Sequence, residues 1–464
     1  MATNKTLAFD AATFAAWAGG EAQALPATFR GVTQDTRTLV PGCLYVALRG
    51  ERFDGHAFVE QALAAGAAAA LVERSWRAPA GAAAWPLIRV ADTREALAAA
   101  ARAWRLKCRA LVVGVTGSSG KTTTKEMAAA LFAAGGPTVA TQGNLNNEIG
   151  LPLSLLAMPK DAVYGIFELG TNHPGEIARL ARVLAPRAAI VTSIGAAHIE
   201  HFGSVEAIAR EKGELLRALP SDGFAVLCRE TACFETLAAM TCARVVETSF
   251  ADRGADYFGE ILEPLSGAVC VTERETGVKT VLRSGLPGEH HASNLLLAFA
   301  AACEAGVPRQ KAAQALTALT LPGMRWDVQD IGGVTVVNDA YNANPGSMVV
   351  VLRTFMKLPC QGRRALVLGD MLELGEHAEA LHREVGRCVA GLAPDALIAV
   401  GPDARAYLAD EAVKSGLPVE RVSLFGQAEA AASALRAWAR PGDCILLKAS
   451  RGMRLERILD GWQV

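Results

Sequence analysis

The sequence predicts an α/β protein of three domains, with a central P-loop ATPase-type parallel sheet and a C-terminal Rossmann-like α/β domain. Three observations predict it. The chain has 464 residues, more than one ordinary domain holds. From residue 111 onward, short apolar runs alternate with helical stretches, the pattern of parallel strands covered by helices. Residues 111–124, LVVGVTGSSGKTTT, read as a strand, a glycine-rich turn and the start of a helix.

Composition narrows the class. The chain is 51% hydrophobic and 20% charged, which allows large cores and excludes wholesale disorder. The formal net charge is −1 and no dense Lys/Arg run is present, so no nucleic-acid partner is expected. The ten cysteines are scattered without a CxxC pair, which points to free thiols in a reducing compartment, hence a cytoplasmic location. Residues 1–10 contain no apolar core of a secretory signal. The apolar stretch 62–72 is mostly alanine and falls short of the ~20 residues that span a bilayer, so no membrane association is expected.

The first domain is expected over 1–107. Residues 44–48 read as a strand, 50–57 as a polar turn, 58–70 as a helix, 71–72 as a short strand and 93–106 as an alanine-rich helix. Its polar ligand candidates are Asp35, Thr36 and Arg37, an acidic, hydroxyl and cationic cluster on a loop, with Thr33 beside it. Most such triplets are surface turns.

The second domain is expected over 108–322, with strands at 111–115, 138–141, 165–169, 188–194 and 224–227. The phosphate loop, Gly117, Ser118, Ser119, Gly120, Lys121, Thr122 and Thr123, departs from the strict pattern. The strict pattern has a glycine six positions before the lysine, where this chain has Val115, and the glycines present are Gly114, Gly117 and Gly120. Backbone N–H groups and a helix N-terminus suit an anion, Lys121 adds charge, and the Thr122 hydroxyl suits Mg²⁺. Ligands of such sheets sit beyond the carboxyl ends of the strands. That rule gathers Glu168, a hard oxygen donor for Mg²⁺, and His198, with Asn146 and Asn147 of the loop GNLNN. His201 lies three residues after His198, so a helical segment would put both rings on one face. Ordinary lysines in a helical stretch such as 208–216 face water, so the residues alone say nothing more of Lys212. His290 and Asn294 share a helix face, from which an asparagine can read a base edge.

The third domain is expected over 323–464, with strands at 334–337, 365–368, 397–400, 422–424 and 444–447. It lacks GxGxxG, so a dinucleotide site has little support. Arg325 stands at the junction, where an arginine reaches a phosphate if domains close. The polar loops are 338–347, NDAYNANPGS, with Asp339, Asn342 and Asn344, and 369–375, GDMLELG.

With these pieces placed, the chain resembles the Mur ligase family, ATP-dependent amide-forming enzymes of peptidoglycan synthesis. The resemblance runs through GVTGSSGKTTTK, FELGTN, TSIGAAHIEHFGS, the Lys212 segment, GEHHASN and GMR, in that order, and covers all three domains. GNLNNEIGLPLSLL, NDAYNANPGSM and LGDMLELGEHAEALH resemble the member that adds a dipeptide. DTR followed by PGCLYVALRGERFDGHAF resembles the family's uridine-binding domain.

The resemblance implies an ATP-dependent ligase acting through an acyl phosphate, with UDP-N-acetylmuramoyl-tripeptide and D-alanyl-D-alanine as partners and a monomeric state. It implies that Lys121 and residues 117–123 hold the ATP phosphates. Thr122 and Glu168 would serve one Mg²⁺; His198, with Lys212 as a carbamate, would serve a second. Asn294 would approach adenine, Asp339 the ribose, and Arg325 the γ-phosphate, so that Lys121, His198, Lys212 and Arg325 form the catalytic set. Thr33, Asp35, Thr36 and Arg37 would lie near uridine. Asn146, Asn147, Asn342 and Asn344 would serve the peptide substrates. The chain departs from the family at His291, expected as asparagine, at His201, expected as glycine, and at Ala449, expected as the glycine of KGSR. A sister ligase with another amino-acid substrate, and a P-loop ATPase that couples hydrolysis to motion, are the other readings open to the sequence.

Overall fold

The computed structural model describes residues 7–50 and 53–462. Glu51 and Arg52 of the expected polar turn, and residues 1–6, lie outside them. The elements form three sheets of five, nine and six strands, plus a two-stranded ribbon, Ala8–Asp10 against Thr28–Arg30.

The first sheet runs Glu21–Gln23, Leu87–Val90, Ala69–Glu73, Leu44–Val46, Val32–Thr33, parallel except at its first pair. The helix expected over 58–70 is shorter. A 3₁₀ turn at Gly55–Phe58 leads into Val59–Ala64, and the chain then reverses at Gly66 (φ +98°). Alanine favours helix, but Ala69, Ala70, Leu71 and Val72 are fully buried as a central strand; tertiary burial overrides propensity. The helix Thr93–Lys107 starts at Asp92, whose carboxylate accepts from the N–H groups of Arg94 and Glu95.

That helix ties the first sheet to the second. Leu97, Ala100 and Trp104 pack with Leu151, Leu155 and Met158 in one apolar core. The Trp104 Nε1–H donates to the Met158 carbonyl at 3.0 Å, and buried Arg105 donates to the carbonyls of Leu184 and Ala185. The two units therefore share a core.

The nine-stranded sheet has the order Lys279–Arg283, Ala268–Glu273, Tyr257–Glu263, Arg244–Ser249, Phe224–Cys228, Ala188–Val191, Leu111–Thr116, Tyr164–Glu168, Thr138–Ala140. Pairing is parallel from Thr138–Ala140 to Tyr257–Glu263, and antiparallel beyond. The three strands of residues 257–283 escape the apolar-run reading because each is buried over only part of its length. The strand expected over 188–194 ends at Val191, and Ser193 turns to hold the phosphate loop.

The six-stranded sheet has the order Asp327–Ile331, Val334–Asn338, Cys444–Lys448, Arg364–Gly369, Ala396–Val400, Val422–Phe425, parallel except at its first pair. Its apolar strands carry a core on each face. Ile199 and Ile208 of the central unit join one of them, beside Leu374 and Trp326. Among the described residues, no helix is long and apolar enough to cross a membrane. The ten cysteines are free.

Candidate active site

The strand Leu111–Thr116 leads directly into the phosphate loop, and Val115, where the strict motif has glycine, is a fully buried strand residue. The glycines that matter stand later. Gly117 has φ +151° and a Cβ there would lie 2.0 Å from the Thr192 hydroxyl. Gly120 has φ +80° and a Cβ would lie 2.4 Å from Asn294 Oδ1. Neither position has room for a side chain. Gly120 caps the helix Lys121–Ala133 without any side-chain acceptor, so the first N–H groups of that helix keep their capacity for an anion. The loop is pinned from the neighbouring strand end: Ser118 N–H donates to the Ser193 carbonyl (2.8 Å), its hydroxyl to the Gly195 carbonyl (2.9 Å), and Ser119 N–H to the Ser193 hydroxyl (3.0 Å).

The Lys121 ammonium donates to the Gly117 carbonyl at 2.9 Å. Burial lowers its pKa from the ordinary lysine value, against the pull of Glu168 and with the push of Arg325. Thr122 Oγ1 donates to Glu168 Oε2 at 2.7 Å, and Asn146 Nδ2 donates to the other oxygen at 2.8 Å. Glu168 is 2% exposed, and its oxygens accept from a hydroxyl and an amide, with the Lys121 charge near enough to be felt but no ion pair among the described residues. A carboxylate so buried is costly without a cation, and the hard oxygens of Thr122 and Glu168 suit Mg²⁺ completed by phosphate and water. No group of three His, Cys, Asp or Glu side chains converges as a ready metal cage among the described residues.

These groups line a cleft of about 830 Å³ between the central and C-terminal sheets. The C-terminal side contributes Arg325, Asp339, Asn342 and Asn344. Arg325 donates Nη2 to Thr122 Oγ1 at 3.0 Å, and its guanidinium lies 3.5 Å from the centroid of the Tyr341 ring. Asn344 caps the helix Pro345–Met356 by accepting from Ser347 N–H, and its Nδ2 donates to the Ser119 hydroxyl at 2.9 Å. Expected as a peptide contact, Asn344 thus touches the phosphate loop. Asn342 Oδ1 accepts from Ala343 N–H. Asp339 pairs with Lys448 at 2.6 Å and accepts from Trp326 N–H at 2.9 Å, so it is already engaged.

Other expected residues fall differently. His198 and His201 do not share a helix face. His198 precedes the helix Ile199–Phe202 with φ +58° and gives its Nδ1–H to Glu373 of the C-terminal unit, whereas the His201 ring lies 4.5 Å from that of His173. Lys212 does not face water. It is 2% exposed on the helix Val205–Arg217 and is not among the residues that line the cleft, and burial followed by the charge of Lys121 drives its pKa well below the ordinary lysine value. Asn147 lines the cleft, but its Oδ1 accepts from the N–H groups of Ile149 and Gly150 and starts the helix Gly150–Leu156. Thr33, Asp35, Thr36 and Arg37 lie outside the cleft. Asp35 and Arg37 pair at 2.7 Å, and the Arg37 side chain is 86% exposed.

The three departures have local explanations. His291 is buried and gives Nδ1–H to the Pro287 carbonyl, its ring 3.9 Å from that of His290 at a tilt of 38° and edge-on to Trp326. His201 packs on His173. The methyl of Ala449 fits because Gly369 faces it: a Cβ at residue 369 would lie 2.7 Å away. Sequence reasoning gave no role to Tyr341, Lys448 or Glu373, although NDAYNANPGS, the KGSR-like stretch 448–451 and GDMLELG carry them in turn.

Comparison with known proteins gives a consistent pattern. Residues 28–105 match the description Mur ligase family, catalytic domain; residues 115–302 match Mur ligase middle domain; residues 324–451 match Mur ligase, glutamate ligase domain. The chain is 38% identical over 432 residues to the UDP-N-acetylmuramoyl-tripeptide–D-alanyl-D-alanine ligase of Bacillus subtilis, covering 92% of each chain. It is 39% identical over 391 residues to the Escherichia coli protein of the same name, covering 83% of this chain and 84% of that one. Among solved structures, MurF from Acinetobacter baumannii superposes with TM-score 0.88 at 28% identity over 99% of both chains. MurF ligase from Thermotoga maritima in complex with ADP superposes with TM-score 0.79 at 27% identity, over 93% of this chain and 97% of that one.

Proposed function

The chain belongs to the Mur ligase family, and from that premise we propose that it is an ATP-dependent ligase joining D-alanyl-D-alanine to UDP-N-acetylmuramoyl-tripeptide. The observation that carries this reading is the single cleft in which the phosphate loop of one sheet meets Arg325 and Asn344 of another.

The chemistry follows from the acid. A carboxylate does not condense with an amine at neutral pH, because its oxygen is a poor leaving group. Transfer of the γ-phosphoryl group makes an acyl phosphate. The dipeptide amine then attacks, a tetrahedral intermediate forms, and phosphate leaves. The amine must first lose a proton, and a free α-amino group has a pKa near ~7.7–8.0, so a modest bias suffices.

The residues divide this work. Residues 117–123 cradle the phosphates through backbone N–H groups, and Lys121 offsets charge on the transferring group. Arg325, held over the Tyr341 ring, approaches the γ-phosphate from the C-terminal side. Asn294 faces the adenine and Asp339 the ribose. Thr122 and Glu168 would hold one Mg²⁺, and His198 with Lys212 a second. Such ions supply positive charge against the phosphoryl oxygens when bound. The low pKa of Lys212 supports its carbamate role, since CO₂ adds to a neutral amine and turns it into an oxygen ligand. Thr33, Asp35, Thr36 and Arg37 take the uridine end; Asn146, Asn147 and Asn342 line the path of the peptide. The units 1–107, 108–322 and 323–464 thus divide UDP, ATP and dipeptide among them, and closure keeps water from the acyl phosphate. The reading takes the enzyme as a monomer. A cytoplasmic location belongs to the same reading and agrees with the free thiols.

The test is ATP consumption with each substrate omitted in turn, with the product weighed by mass spectrometry. Turnover that needs both substrates and yields the joined peptide is expected, and Lys121→Ala nearly abolishes it with the fold intact. Equal hydrolysis without either substrate, and no joined product with both, contradicts it.

A further inference from the structure

We infer that Glu373 is a positioning residue for His198, and that through it docking of the C-terminal unit prepares the His198 ring for a metal ion. The inference rests on the reading of His198 as a metal ligand.

A carboxylate oxygen only accepts, so in the contact between His198 Nδ1 and Glu373 Oε2 the proton sits on Nδ1. The lone pair of the neutral ring is then on Nε2, the arrangement in which metal-binding histidines are commonly held by a carboxylate. The two residues come from different sheets. His198 follows the strand Ala188–Val191 of the central unit; Glu373 follows the strand Arg364–Gly369 of the C-terminal one.

Both residues adopt a left-handed backbone that side chains rarely tolerate, His198 at φ +58° and Glu373 at φ +63°. Two such residues facing each other across a unit boundary are held there by their surroundings. The loop that carries Glu373 is anchored on its own side. Asp370 accepts from Ala404 N–H at 2.7 Å, Met371 N–H donates to His382 at 3.0 Å, and Leu372 N–H donates to the Ser450 hydroxyl at 2.9 Å. It also fits the central unit closely. Leu374 and Ile199 share a core, Glu200 N–H points to the Glu373 carbonyl at 3.4 Å, and a Cβ at Gly375 would lie 2.9 Å from Glu200 Cγ. Moving the C-terminal unit away therefore removes the carboxylate and frees the ring to change tautomer. By linkage, metal affinity and docking of the two units rise and fall together.

The experiment is a Mn²⁺ titration, followed by electron paramagnetic resonance, of the full chain with a non-hydrolysable ATP analogue. The variants are Glu373→Ala, Glu373→Gln, His198→Ala and the double Glu373→Ala/His198→Ala. The site of interest is the Mn²⁺ binding lost in His198→Ala. Glu373→Ala is expected to weaken that site about ten- to a hundredfold. Glu373→Gln, which keeps an acceptor oxygen, is expected to weaken it less, and the double variant to bind no worse than His198→Ala. The ¹⁵N spectrum of the His198 ring is expected to show an unprotonated Nε2 that becomes a tautomer mixture in Glu373→Ala. If His198→Ala weakens Mn²⁺ binding but Glu373→Ala leaves both affinity and ring spectrum unchanged, the inference is overturned and the ligand reading stands. If His198→Ala has no effect, both fall.

Discussion

Arg325 donates to the hydroxyl of Thr122 at 3.0 Å, and that same hydroxyl donates to Glu168 at 2.7 Å. One oxygen in the first turn of the phosphate-loop helix is thus held by the strand end beside it and by the unit opposite.

This predicts coupling. Arg325→Ala should lower ligation about a hundred- to a thousandfold, the cost of removing one charge-stabilising donor. Thr122→Val should be severe alone, and the two losses should not add, with a coupling of about 0.5–3 kcal/mol in a double-mutant cycle of kcat/KM. Additive losses would mean that the two groups act independently.

Lys212→Ala should be inactive while still binding the ATP analogue, and an added short carboxylic acid should restore part of the rate by standing in for the carbamate. Rate measured against concentration of the acid checks this. A flat response would remove the carbamate.

Trp104 stitches the first two units together. Trp104→Ala should cost about 3–5 kcal/mol in denaturant unfolding, from the lost ring and the cavity left behind. The wild-type transition should show the first and central units unfolding as one. A separate early transition of the first unit in wild type would argue against the shared core.

Asp443 is predicted to give the C-terminal unit acid sensitivity. Its side chain is 3% exposed, pairs with Arg363 at 2.7 Å and accepts from the N–H groups of Arg363 and Arg440. Burial raises its pKa, but the Arg363 side chain and the two N–H groups outweigh burial and leave it below the ordinary value. A lowered folded pKa means that the stabilisation is complete above the unfolded value of about 3.9 and is lost as pH falls through the folded value. Asp443→Asn should cost about 2 kcal/mol at pH 7, and the gap from wild type should close below about pH 3.9. Urea melts across pH measure it; a gap that persists at low pH contradicts it.

What the sequence revealed, and what it hid, follows from which interactions are local. Gly117, Gly120, Lys121 and Thr122 lie together along the chain, and Glu168 follows from the rule that ligands gather at strand ends. The strands Val334–Asn338, Arg364–Gly369, Ala396–Val400 and Cys444–Lys448 of the C-terminal unit were legible because each is a short, mostly buried apolar run. The edge strand Val422–Phe425 was legible from its place in the same alternation although it is half exposed. Contacts between units were not. Nothing in NDAYNANP says that Asn344 reaches Ser119, nor in GDMLELG that Glu373 reaches His198, because both depend on how two separate sheets dock. The burial of Lys212 was not legible, because a lysine in a helical pattern ordinarily faces water and only the packed structure reveals the burial. The strands of residues 257–283 were missed because each is buried over only part of its length, which leaves no long apolar run.

The central claim is that ATP phosphorylates the tripeptide carboxylate inside this cleft. The most direct test labels that carboxylate with ¹⁸O and follows the released inorganic phosphate by mass spectrometry during a single turnover with D-alanyl-D-alanine. The account predicts one ¹⁸O atom in each phosphate released, matched to each peptide bond formed. Phosphate that carries no label while ligation proceeds would contradict it.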